Sequence, residues 1–147
     1  MNKDDGRVVT NFINQALYDQ NITIYGDGNQ SKNFQYVDDL IEGMINVMNT
    51  DSSFHGPINL CNPNEFTVKQ LENLIVFLIK DTKGKVVFED LPQDDHVKRG
   101  PDITLAKTTL NCEPKVQLRE GLLKIIENFK QLKEEEEKRR NETIKKK

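Results

Sequence analysis

Between Val8 and Phe129 the apolar residues change period several times, from the three-and-four spacing of helices to the short runs of strands. Val8, Val9, Phe12, Ile13, Ala16 and Leu17 share one helical face through about Tyr18. Ile22–Tyr25 is a β-type run stopped by the turn signal Gly26–Asn29, and a second strand is expected near Asn33–Val37. Asp38 or Asp39 then caps a helix whose buried stripe is Leu40, Ile41, Met44, Ile45 and Met48. Ile58–Cys61 reads as a third β run. Thr67 with Gln70 at the third helical position fits a capping box, and the helix it starts buries Val68, Leu71, Leu74, Ile75 and Leu78. Lys83-Gly84-Lys85 turns the chain into a strand, Val86–Phe88. Asp102 opens a short helix with Ile103, Ala106 and Leu110, broken at Glu113-Pro114, and a last helix from about Leu118 buries Leu122, Ile125, Ile126 and Phe129. Helices interleaved with short strands, without internal repeats, predict an α/β chain.

The pattern ends at Gln131. Residues 131–147 are almost purely charged, with Glu134–Lys138 and Glu135–Arg139 four apart, and have little to bury. We therefore expect two parts: a globular lobe over 1–130 and a charged tail over 131–147, helical or disordered. A net charge of −3 over 147 residues argues against nucleic acid as a partner. No apolar run is long enough to cross a bilayer, and the N-terminal residues contain no apolar signal core, so neither membrane insertion nor secretion is expected from this stretch. Cys61 and Cys112 are isolated and lack metal-ligand spacing, so no metal site is expected.

Chemistry concentrates in Gln93–Ile103, where two acids, a histidine and two adjacent bases precede a helix start. From the residues alone Arg99 has two readings. It either pairs with Asp94 or Asp95 in a solvated loop, or presents a guanidinium to a phosphate or carboxylate. Gly26-Asp27-Gly28 lacks a third glycine and opens no helix, and no tyrosine is followed four residues later by lysine. A dinucleotide phosphate cradle is thus not encoded here.

Several blocks taken in order carry a family likeness: Asp5–Leu17 (D-G-R-V-V-x-N-F-I-x-Q-A-L), Ile24–Gln30 (I-Y-G-D-G-x-Q), Phe34–Leu40 (F-Q-Y-V-D-D-L), Ile58–Pro63 (I-N-L-C-N-P), Gln93–Asp95, Arg99–Ile103 (R-G-P-D-I) and Glu113–Leu122 (E-P-x-V-x-L-x-E-G-L). Together they resemble the C-terminal part of the UDP-glucuronate decarboxylases (UDP-xylose synthases), which are extended short-chain dehydrogenase/reductases of the NAD-dependent epimerase/dehydratase superfamily. Nucleotide-sugar 4,6-dehydratases and 4-epimerases share some of these blocks and are the alternative. A non-catalytic UDP-sugar-binding or protein-interaction module is another.

The resemblance implies a partial fold: a small substrate lobe with elements that would pack on a Rossmann domain. It implies UDP-sugar as ligand and, in the full-length family, NAD as cofactor and a Tyr/Lys catalytic pair, with conversion of UDP-glucuronate to UDP-xylose and CO2 through a 4-keto intermediate. The chain alone would be inactive, Met1 would correspond to an internal methionine, and a separate Rossmann-domain chain would be a candidate partner. Most of the family's dimer interface would be missing. A cytoplasmic setting follows, or the Golgi lumen if an anchor precedes this stretch. By block, Arg99 grips phosphate or the glucuronate carboxylate, and Arg7 faces cofactor or substrate. Tyr25 and Gly26 line the uracil pocket, while Gln30 and Lys32 lie on the diphosphate loop, Lys32 standing where the family usually has arginine. Two departures stand out: Cys61 for a glycine, and Asn111-Cys112 for a glycine and an aromatic.

Overall fold

A computed structural model describes residues 6–51, 53–91 and 100–145. The elements run α1 (Val8–Leu17), β1 (Ile22–Tyr25), β2 (Ser31–Asn33), α2 (Val37–Met48), β3 (Glu65–Thr67), α3 (Val68–Ile79), β4 (Val86–Glu89), α4 (Thr104–Leu110) and α5 (Leu118–Lys145). β1 and β4 pair in parallel, with Ile22 opposite Val86 and Tyr25 opposite Glu89. β2 and β3 pair antiparallel, with Lys32 opposite Phe66.

One core holds α1, α3 and α5 around β1. Phe12 and Ile13 from α1, Ile22 and Ile24 from β1, Leu71 and Ile75 from α3, and Leu122 and Ile126 from α5 are almost wholly buried. The helical period of these residues supplies the inward faces, and the alternation of I-T-I-Y turns Ile22 and Ile24 the same way. The Thr67 hydroxyl accepts from Gln70 N–H and the Gln70 side chain accepts from Thr67 N–H, so α3 begins on the expected capping box. Between these two helix-bearing pairs the expected strand at Ile58–Cys61 is not formed; the ladder partner of β2 is Glu65–Thr67 instead.

α2 departs most from expectation. Its apolar stripe faces outward: Met48 is 82% exposed, and Ile41, Met44 and Ile45 lie between 47% and 53%. The buried residues are Asp39 and Gly43 on the opposite side. A Cβ on Gly43 would stand 3.1 Å from Leu60 and 3.2 Å from the Cys112 sulfur, so α2 docks through its glycine. Neither aspartate caps the helix; Tyr36 occupies that position without a side-chain bond, and Asp39 reaches across the chain. α4, by contrast, starts later than expected, at Thr104, with the Asp102 carboxylate accepting from Thr104 N–H and hydroxyl. These bonds hold the Asp102 carboxyl below the ordinary range.

Asn111 ends α4 in the left-handed conformation, φ 48° and ψ 38°. That explains one departure from the family pattern, because asparagine is the next most tolerant residue after glycine there. α5 runs unbroken for 28 residues. Lys133 ties its middle to the Leu17 carbonyl, and Glu136 accepts from the Tyr18 hydroxyl. No helix among the described residues is long and apolar enough to cross a membrane.

Glu72 is buried on α3, and that burial pushes its carboxyl above the ordinary value. For an acid with a raised folded pKa, the folded state holds the proton longer than the unfolded chain. Stability then falls as pH rises above the usual carboxylate value, and the full penalty applies at neutral pH. Glu72→Gln is expected to raise the melting temperature at about pH 7 and to have little effect near pH 4. Equal shifts at the two pH values would show that desolvation of the charge is not the cause.

Candidate functional site

Two hollows open on the described surface. The first, of about 350 Å3, lies between the start of α1, the β2 segment through Tyr36, and the approach to α5. Arg7 and Lys32 line it together, against Val8, Phe34, Leu118 and Ile125. Arg7 is the N-cap residue of α1 and supplies no side-chain cap, and α1 has no acid in its first turn. The start of that helix and two cationic residues thus line one mostly apolar hollow. A helix N-terminus with adjacent cations favours an anion, and apolar surroundings strengthen the attraction.

The second hollow, of about 490 Å3, is more open and is lined by Gly26, Asp27, Lys69, Phe88, Glu89, Asp90 and Leu91. Phe88 is 56% exposed. The Lys69 amine lies 5.7 Å from the centre of its ring. An uncovered ring of this kind offers a flat partner a stacking face. Gly26 lies on its rim, and it and Gly28 bracket the turn with φ +71° and +72°. A Cβ at Gly28 would meet the Lys69 side chain at 2.8 Å, so glycine is required there on two counts. The Asp27 carboxylate accepts from the Asn29 backbone and side chain, which keeps its carboxyl low.

The residues expected at the site therefore fall in different places. Arg7 and Lys32 share the first hollow, and Gly26 belongs to the second. Tyr25 ends β1, is partly exposed and lines neither. Gln30 is buried beneath the turn, where its side-chain amide donates to the Tyr25 carbonyl at 2.7 Å and its own carbonyl accepts from Val68 N–H. It braces the loop that carries Lys32. Arg99 lies outside the described residues. The chain re-enters at Gly100, where a Cβ would stand 2.8 Å from the Glu65 carboxylate. Phe88 and Lys69 were not anticipated, since nothing in V-V-F-E indicates which side of a two-stranded pair stays open.

Burial raises the Cys61 and Cys112 thiols above their ordinary value, for Cys112 with Glu42 and Asp39 adding to it. Among the described residues no cluster of histidine, cysteine, aspartate or glutamate is arranged for a metal. The two positive-φ glycines after β1 lead into β2 and not into a helix, so this turn aims no helix N-terminus at a pyrophosphate.

A family model described as the NAD dependent epimerase/dehydratase family matches residues 1–61. The fold superposes on UDP-glucuronic acid 4-epimerase from Bacillus cereus, solved with UDP-glucuronic acid and NAD, with a TM-score of 0.81 and 26% identity over 86% of this chain and 40% of that one. It is likewise similar to UDP-glucose 4-epimerase from Thermotoga maritima, solved with UDP-glucose (TM-score 0.80, 29% identity, 86% and 40% coverage). Over this stretch and in its fold the chain is similar to the NAD-dependent epimerase/dehydratase family.

Within it, the chain is similar to UDP-glucuronic acid decarboxylases. It is 47% identical to decarboxylase 4 of Arabidopsis thaliana over 87% of this chain, and 48% identical to decarboxylase 6 of that plant over 88%. It is 45% identical to decarboxylase 1 of Danio rerio over 88%. It spans between 28% and 37% of the length of these relatives.

Proposed function

We infer that this chain is the nucleotide-sugar-binding portion of a UDP-glucuronate decarboxylase, contributing substrate contacts and inactive by itself. The observation that carries the reading is the pairing of Arg7 and Lys32 on one hollow at the start of α1. A diphosphate suits two cations and a helix N-terminus. Lys32 provides a point charge in place of an arginine fork, so it holds phosphate without fixing its orientation bidentately. The exposed Phe88 ring and the Gly26–Gly28 turn offer a base a place to stack. The likeness to a UDP-glucuronic acid 4-epimerase leaves the ligand class unchanged.

This chain's part is to bind and orient the sugar nucleotide, and to hold the carboxylate where its loss as CO2 can follow oxidation elsewhere. Arg99 is the residue we assign to the carboxylate or the diphosphate.

Titration with UDP and UDP-glucuronate, followed by NMR so that weak binding registers, tests the reading. Both ligands are expected to bind weakly. Lys32→Ala should weaken both by about tenfold, the size of one lost charge-assisted bond. Arg99→Ala should weaken UDP-glucuronate alone if it serves the carboxylate, and both ligands if it serves phosphate. No shift with either ligand would end the reading. Turnover of UDP-glucuronate by this chain would overturn its inactivity.

A further inference from the structure

Asp39 is nine-tenths buried in the first turn of α2, yet its carboxylate does not cap that helix. One of its oxygens accepts from two consecutive amides far along the chain, Lys115 N–H at 3.1 Å and Val116 N–H at 3.0 Å. Pro114, just before them, has no N–H to offer, so these are the first two donors after the break. Val116 and Gln117 form the wall of the first hollow on the side leading into α5. Two further contacts bind the same junction. The Lys115 amine pairs with Glu42, one turn along α2. The Lys124 amine lies 4.8 Å from the centre of the Tyr36 ring, and Tyr36 itself lines the hollow. Gly121 completes the joint: a Cβ there would stand 3.2 Å from Tyr36.

We propose that Asp39 is a positioning residue for the ligand hollow, and that its carboxylate sets the distance between the Val116–Gln117 wall and the wall carrying Arg7 and Lys32. This rests on the reading of that hollow as a sugar-nucleotide site. The physical reason is that an ionised carboxylate bonded to two neighbouring amides fixes both peptide planes at once. The Glu42–Lys115 pair is exposed on both sides and contributes little of its own. The hollow is mostly apolar, so its grip on an anion depends on how closely the two walls exclude water. Asp39 does not touch the ligand; it acts through Val116.

The test compares the parent chain with Asp39→Asn, Asp39→Ala, Asp39→Glu and the control Lys115→Ala. Each is followed by amide hydrogen exchange and by NMR titration with UDP. In Asp39→Asn, which keeps the shape and loses the charge, exchange at Lys115 and Val116 should rise at least tenfold while Leu71 and Ile75 in the core keep their protection. UDP affinity should fall at least fivefold in the same variant and recover partly in Asp39→Glu. Lys115→Ala should leave affinity within twofold. If Asp39→Ala does not fold, the Asn variant still decides the matter. Unchanged exchange at Val116, or faster exchange with UDP affinity within twofold of the parent, overturns the proposal. A parent chain that shows no UDP shifts at all overturns the ligand reading on which it stands, whatever the exchange rates.

Discussion

Gly84→Ala is expected to abolish the native fold or to cost about 3 kcal/mol or more, the upper range for forcing atoms into filled space. Gly84 joins α3 to β4 and passes directly against the Gln20 carbonyl. A Cβ there would overlap that oxygen and lie 2.7 Å from its carbon, and both are backbone atoms that cannot swing aside. The approach is stitched on either side. Lys83 N–H donates to the Asp19 carboxylate, Lys85 N–H to the Asn21 side chain, and Ile22 N–H to the Lys85 carbonyl. These bonds bring β4 alongside β1 in parallel, so displacing the crossing would unseat the strand that carries Phe88 and the rim of the second hollow. Urea unfolding followed by circular dichroism measures the loss. A cooperative transition for Gly84→Ala within 1 kcal/mol of the parent would mean that the crossing relaxes freely.

The second large effect concerns the outward face of α2. Ile41, Met44, Ile45 and Met48 form a row of exposed apolar side chains on one helix. Contiguous apolar surface of this kind is costly in water and drives association. The chain alone is expected to self-associate at tens of micromolar and to bind a hydrophobic dye. The double substitution Ile41→Lys and Met44→Lys should abolish both without lowering the melting temperature, because neither side chain is part of the core. Analytical ultracentrifugation of the two proteins decides it. A parent chain that sediments as a single monomer across that range would show that the face is tolerated by water.

α2 also marks the limit of what the residues disclose. Their spacing identified the helix and the membership of its stripe, but spacing specifies a face and says nothing about what lies opposite it. The inner seat went to Gly43, because only a residue without a side chain fits against Leu60 and Cys112. The core of α1, α3 and α5 was readable because its partners lie within this chain, and the Thr67 capping box because it is local. Asp39 was not readable as a long-range acceptor, since its partners are 76 and 77 residues away. The strand expected at Ile58–Cys61 has β-type residues but pairs with no strand among the described residues, and propensity without a partner forms no ladder. Lys32 and Arg7 were each singled out by family likeness and not by pattern, and nothing in the sequence joined them at one hollow. The separation of Tyr25 and Gln30 from both hollows depends on a turn whose hydrogen bonds no composition argument anticipates.

The long last helix has a practical bearing on any measurement of size. Glu136 ties it to the Tyr18 hydroxyl, and from there to Lys145 it advances about 13 Å at the usual rise per residue. A protein with such a spike tumbles and elutes as though it were heavier than it is. Column position alone would then overstate the mass of the chain.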